Sequence, residues 1–214
     1  MVNNLFSPDG VYARVMNWLW NILVLSVLWL VCCMPIITIG ASSTAAYYAA
    51  SKVMRHKTGK LVSEFFASFR RNLRQSIPLS AAITLLQVVL VMECIYLYSD
   101  IRVPMGFLAL FLFLLLVVCA QANYLWACLS RFDRSSFQLF RMAIVLAFRH
   151  FLTTILLLLL LCIPLAGIYF MPWGILIFPG LSIFVSTYPM EKILRQYSPA
   201  VAPDTQEAQK WYYQ

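Results

Sequence analysis

Glu93 is the one acidic side chain set inside a long apolar run of this sequence. An ionisable group at membrane depth is costly and marks a functional site by default. Glu93 lies toward the outer end of Ile77–Tyr98, near Asp100 and Arg102. It reads either as a carboxylate coupling proton or cation movement, or as half of a surface ion pair with Arg102. Five amides lie in or beside apolar runs: Asn17 and Asn21, which share a face, then Gln87 in mid-run, then Gln121 and Asn123 ahead of Tyr124. Amides of this kind bridge helices in lipid. The histidines, His56 and His150, fall in basic stretches with no acid spaced to orient either as a catalytic base. There is no glycine-rich phosphate loop. The six cysteines have no metal-type spacing and read as buried free thiols. No catalytic residue, cofactor or metal is expected, and the chain reads as non-enzymatic.

The elements that must hold these groups are set by composition. Of 214 residues, 62% are hydrophobic and 11% charged. A soluble domain is nearer half apolar and a quarter charged, so an integral membrane protein is expected. The N-terminal MVNNLFSPDGVYAR lacks the basic start and early cleavage site of a secretory peptide.

The charge follows the membrane. Lys52–Arg74 holds seven basic residues against Glu64, and Arg131–Arg149 holds four against Asp133. With Arg14, Lys192, Arg195 and Lys210 added, only Arg102 of the 16 basic residues is left for the other side. This positive-inside pattern places the basic segments and the C-terminus in the cytoplasm. It accounts for the net charge of +8 without nucleic acid.

Apolar runs long enough to cross are Asn17–Met34, Ile77–Tyr98, Pro104–Ala127, Phe151–Phe170 and Trp173–Pro189. The stretch Leu30–Tyr48 decides the count. Pro35 interrupts the helical ladder, and the small residues around Gly40, Ala41 and Ala45 permit close helix packing. We read Pro35, Thr38 and Gly40 as the tip of a first hairpin whose second arm is Ile36–Met54. The expected fold is therefore all-α, with six transmembrane helices as three hairpins. The alternative has five spans and a cytoplasmic helix after Pro35. Residues 1–16 form an interfacial segment, 17–189 one transmembrane domain with basic loops at 55–76 and 128–150, and 190–214 a cytoplasmic tail.

The three descending exits resemble one another. Tyr48–Arg55, Tyr124–Arg131 and Tyr188–Arg195 each set an arginine seven positions after a tyrosine, on one helix face. That is either a trace of an internal repeat or the usual placing of Tyr and Arg at an interface. After the first two exits, Phe65, Phe66 and Phe69 with Arg70, and Phe137 and Phe140 with Arg141, read as amphipathic helices in the inner interface. They either lead into the next span or dock a partner.

These motifs resemble the YesL-like family of bacterial membrane proteins. The resemblance rests on Asn17 to Asn21, Trp29, Pro35, Thr38, Gly40, Ala41, Thr44, Ala45 and Tyr47, and again on Phe65, Phe66, Phe69 and Asn72. Leu73 stands where that family has a second aromatic, and Ser42 and Ser43 depart mildly from its pattern. The likeness extends to about Pro189. The family is of unknown function, has no catalytic residues assigned, and is often encoded beside oligosaccharide importers of the ATP-binding-cassette type in Gram-positive bacteria. The resemblance implies a plasma-membrane accessory or component of such an importer, with membrane lipid and the sugar permeases and their ATPase as partners. In that role Gly40–Ala46 and the inner amphipathic segments would meet the permease. The rival expectations are a stand-alone carrier running past Pro35–Gly40 and Glu93, and a membrane-embedded sensor or assembly factor.

Overall fold

The computed structural model describes residues 11–99, 104–132 and 134–197. Every regular element among them is helical: α1 (Val11–Cys33), α2 (Ile39–Ala49), α3 (Leu61–Ser99), α4 (Met105–Arg131), α5 (Ser136–Arg149), α6 (Phe151–Phe170) and α7 (Phe178–Tyr197). By length and composition, α3, α4 and residues Arg14–Cys33 of α1 can each cross a membrane. A fourth crossing is added if α5 and α6 count as one broken span. Residues 1–10, Arg102 and the tail 198–214 lie outside the described residues. Val11–Met16, expected in an interfacial segment, form the opening turns of α1.

The reversal expected at Pro35 is present. Pro35 precedes a single 3-10 turn, Ile36–Thr38, and the Thr38 hydroxyl donates to the carbonyls of Cys32 at 2.6 Å and Pro35 at 2.7 Å. The first of these uses a carbonyl group that the end of α1 leaves without a helical partner. Beyond the turn α2 runs back along α1. Ser42 Oγ donates to Trp29 O at 3.1 Å, and Trp29 Nε1 donates to Ser43 Oγ at 3.1 Å. Lower down, Leu25 packs with Ala45, Ala46 and Ala49. α2 therefore pairs antiparallel with α1 instead of extending it.

The small residues of α2 are spent inside the molecule. Gly40, Ala41, Ala45 and Ala46 are all buried, Ala45 and Ala46 in a cluster with Leu25 of α1 and Phe65 of α3, and a Cβ on Gly40 would come within 2.6 Å of Trp126 on α4 and 2.7 Å of Ser80 on α3. Facing α2, α3 presents a buried stripe of Ser68, Asn72, Ser76 and Ser80, spaced by four residues. Small side chains on both helices let the backbones approach closely. This corrects the expectation that Gly40–Ala46 meets another protein, because that face is already occupied.

The segment 65–74 follows the expectation that it leads into the next apolar run, and it is not a separate helix lying in the interface. It is continuous with the following apolar run in one 39-residue helix, α3, which takes Pro78 into its interior. Such a helix is about 58 Å long and exceeds the hydrocarbon thickness of roughly 30 Å. Ser80 Oγ donates to Ile37 O at 2.6 Å, so α3 continues 19 residues beyond the α1–α2 turn. The second amphipathic segment is a separate helix. α5 buries Leu139, Ala143 and Leu146 on one face and turns by 100° into α6. α7 then returns against α1, where Gly180 N donates to Ser26 Oγ at 2.8 Å.

Candidate functional site

Three chain ends meet at one buried carboxylate. After Ala49 the backbone widens into a π-helix, Ala50–Arg55, closed by His56 N donating to Ser51 O at 3.2 Å. The wider turn sets Ser51, Arg55 and His56 on one face, where an α-helix would fan them out. Opposite them stands Glu191 of α7, with a side chain 1% exposed. Its Oε2 accepts from Ser51 Oγ at 2.8 Å and lies 3.3 Å from Arg55 Nη1. Its Oε1 accepts from Arg131 Nη2, at the end of α4, at 3.1 Å. His56 Nε2 lies 2.9 Å from the same oxygen, a hydrogen bond when that nitrogen carries its proton, and Arg195 Nε stands at 3.8 Å.

The arginines reaching Glu191 are Arg55, Arg131 and Arg195, the three that close the Tyr-to-Arg exits. Their tyrosines diverge. Arg55 lies over the Tyr188 ring at 4.9 Å, Tyr124 bonds Thr154 at 3.1 Å, and Tyr48 receives Arg71 at 5.3 Å. Glu191 stands beyond the apolar stretch that ends at Pro189. Burial works against its charge, but the bonds from His56 and Ser51 and the charges of Arg55 and Arg131 outweigh that and hold its carboxyl below the usual carboxylate range. The arrangement has the form of a buried ionic lock, with the Ser51 hydroxyl donating to the carboxylate.

Next to this cluster is an interhelical cavity of about 470 Å³, walled by all the long helices except α5. Tyr47 and Met190 line it, and Tyr47 is also close enough to Arg131 and Glu191 to feel both charges. Among the expected polar residues, Gln87 and Asn123 are in the wall. Gln87 Nε2 lies 3.6 Å from Cys119 Sγ, and Asn123 Nδ2 donates to Cys119 O at 2.9 Å. Gln121 is partly buried, with an amide nitrogen that has no hydrogen-bond partner. Asn21 borders a separate shallow groove with Trp20 and Phe66. Glu93 is exposed on α3 and is not among the residues lining the cavity. Its expected partner Arg102 lies outside the described residues.

Of the docking candidates, Phe65 is fully buried beneath α2 and stacks on Phe69 at 6.2 Å. Phe66 and Arg70 remain exposed on α3, as do Phe137, Phe140 and Arg141 on α5. All six cysteines are free thiols, and no metal-type cluster occurs among the described residues.

Sequence reasoning passed over Glu191 and Ser51, and named Tyr47 only within the family motif; it found no acid to orient His56, which is corrected here, because Glu191 stands 2.9 Å from its Nε2. A signal for the cluster was present, since Glu191 is the one acid within the three Tyr-to-Arg exits. What was hidden is that the three exits converge.

No curated protein and no solved structure matches the chain at a significant level. Residues 22–94, about a third of the chain, match the family described as "Protein of unknown function, DUF624", a shorter likeness than the one expected to reach Pro189, though it contains Pro35, Thr38, Gly40, Ala41, Ala45 and the phenylalanines of α3.

Proposed function

We infer that the chain is a non-enzymatic accessory or component of an oligosaccharide importer of the ATP-binding-cassette type, seated in a bacterial plasma membrane. The importer is inferred by analogy with YesL-like proteins. The observation that carries an interaction role is α5, an amphipathic helix lying near the basic chain ends with Phe137 and Phe148 at 76% and 69% exposure beside Arg141 and Arg149. Aromatic and arginine side chains on an inner-interface helix suit lipid headgroups and a cytoplasmic-side protein alike. The reading takes six crossings with both ends in the cytoplasm. It is supported by the meeting of the ends of α2, α4 and α7 at Glu191, as three descents to one side require. Purification of the tagged chain from native membranes in mild detergent tests the role. Stoichiometric recovery of a sugar permease or its ATPase, lost with Phe137→Ser/Phe148→Ser, supports it, and recovery of the chain alone overturns it.

The cavity favours a second reading, a stand-alone carrier. In that reading the path runs through Gln87, Asn123 and Tyr47, and Glu93, exposed on α3, has no part in it. Solute uptake into proteoliposomes containing only this chain supports the carrier, and its absence removes it.

A further inference from the structure

We propose that Arg55 and Arg195 together bind the phosphate of one anionic phospholipid in the headgroup layer at the basic end of the bundle, with Tyr188 and Trp18 against its acyl chains. Arg55, Arg131 and Arg195 surround Glu191, and their charges exceed that of the one carboxylate by two. The other acids among the described residues do not make up the difference. Glu64 is bonded to Lys52 at 2.7 Å, and Glu93 lies near the other end of α3. Arg131 is enclosed, with a side chain 4% exposed, whereas the side chains of Arg55 and Arg195 are 25% and 48% exposed. The excess charge therefore reaches the surface through these two, and it attracts an anion. Glu191, at 1% exposure, lies behind them.

Most donors of the two guanidinium groups are unspent. Arg55 gives only Nη1 to the protein, reaching Thr187 O at 3.0 Å, Tyr188 O at 3.5 Å and Glu191 Oε2 at 3.3 Å. Arg195 approaches Glu191 through Nε, at 3.8 Å, beyond hydrogen-bond length. Among the described residues nothing accepts from the other N–H groups of either side chain. A guanidinium presents its donors as a planar fork that matches two phosphate oxygens at once. Both forks converge on one carboxylate, so a phosphate beside it meets both. The aromatic neighbours decide the source of that phosphate. The Arg55 guanidinium lies over the Tyr188 ring at 4.9 Å, Tyr188 packs edge-on to Phe184 at 5.4 Å, and Phe184 packs edge-on to Trp18 of α1 at 5.6 Å. Phe184 is buried, but Tyr188 and Trp18 are 50% and 37% exposed. Tyrosine and tryptophan favour the boundary between hydrocarbon and headgroups, which puts the two arginines at the depth of lipid phosphates. The exposed rings then offer a wall to acyl chains, which a soluble phosphate would not use. The inference is independent of the importer reading, because it requires no protein partner.

The test uses the full chain in a neutral detergent, titrated with phosphatidylglycerol or with phosphatidylcholine of the same acyl chains, and native mass spectrometry to read the affinity of the first bound lipid. Phosphatidylglycerol should bind the wild-type chain about tenfold more tightly than phosphatidylcholine. Arg195→Gln should weaken phosphatidylglycerol binding about tenfold, as the loss of one charge-assisted contact predicts. Arg195 is half-exposed and only loosely paired, so the fold survives this change, with helical circular dichroism as the control. Arg195→Lys should restore only part of the affinity, because an ammonium keeps the charge without the fork. Arg70→Gln removes an exposed arginine of α3 and should leave the first binding step unchanged. Equal affinity for the two lipids, or an Arg195→Gln variant that binds phosphatidylglycerol no more weakly than Arg70→Gln does, overturns the proposal. Glycerophosphoglycerol, the same headgroup without acyl chains, should bind far more weakly. Affinity equal to that of the lipid would overturn the lipid as occupant and leave a soluble phosphate in its place.

Discussion

Glu191 and Arg131, sixty residues apart in the chain, face each other at 3.1 Å with side chains 1% and 4% exposed. Removing one member of a buried pair strands the other as an uncompensated charge, at roughly 3–5 kcal/mol. Glu191→Gln should therefore lower the thermal unfolding midpoint in detergent markedly. Glu191→Gln combined with Arg131→Met should recover part of the loss, because no buried cation is then left without its partner at that position. A double variant no more stable than the single one would mean that Arg55 and His56, not Arg131, set the penalty.

The depressed carboxyl of Glu191 gives a pH dependence with a fixed sign. Its folded-state pKa lies below the unfolded value, so it adds stability that is fully present above the ordinary carboxylate range. That contribution is lost as pH falls through the lower, folded-state value. Unfolding midpoints of the wild-type and of Glu191→Gln, taken from neutral pH downward, should differ most at neutral pH and converge in acid. A gap that widens on acidification would contradict the assignment.

Ala45 is completely buried between α1 and α3, so the space for a larger side chain is absent. Ala45→Leu should destabilise the fold by about 1–3 kcal/mol through overpacking. Any loss of a protein partner in that variant would follow from the damaged fold. Phe137→Ser on α5, 76% exposed, should leave the unfolding midpoint within about 0.5 kcal/mol of wild type. Comparing the two midpoints separates an internal packing face from a docking face.

The parts of the fold legible in the sequence were those fixed by local rules. Pro35 and Thr38 announced a reversal because proline lacks the donor that a helix needs there. The arginines that close the three exits gather at one carboxylate, Glu191. Length marked α4 as a crossing. What could not be read was which faces meet. Gly40 to Ala46 looked like a free packing surface because its partner, the serine stripe of α3, is polar and reads alone as a weak helix face. Phe65 and Phe66 are adjacent and alike in composition, yet α2 covers one and leaves the other open. Glu191 looked like one residue of a solvated exit. Its burial depends on Ser51, Arg55 and Arg131 arriving from 140, 136 and 60 positions away, and no local pattern encodes that.

The number of crossings has a direct chemical test at the α1–α2 turn. Met34 is 82% exposed there, while Thr58 lies in the loop between the π-helix and α3, and Ser99 ends α3 at the far side. In a background with all six native cysteines replaced by alanine, each position is changed singly to cysteine and treated with a membrane-impermeant maleimide in vesicles of both orientations. With six crossings, Met34→Cys and Ser99→Cys react from one side and Thr58→Cys from the other. Six crossings require this opposition, with α2 lying antiparallel to α1 and returning the chain to the level of Ser51 and Glu191. Because α3 outruns the α1–α2 turn by 19 residues, about 28 Å of helix, Met34→Cys should also react more slowly than Ser99→Cys. Equal and fast reaction of Met34→Cys and Thr58→Cys from the same side would instead require the α1–α2 hairpin to enter and leave through one face of the membrane.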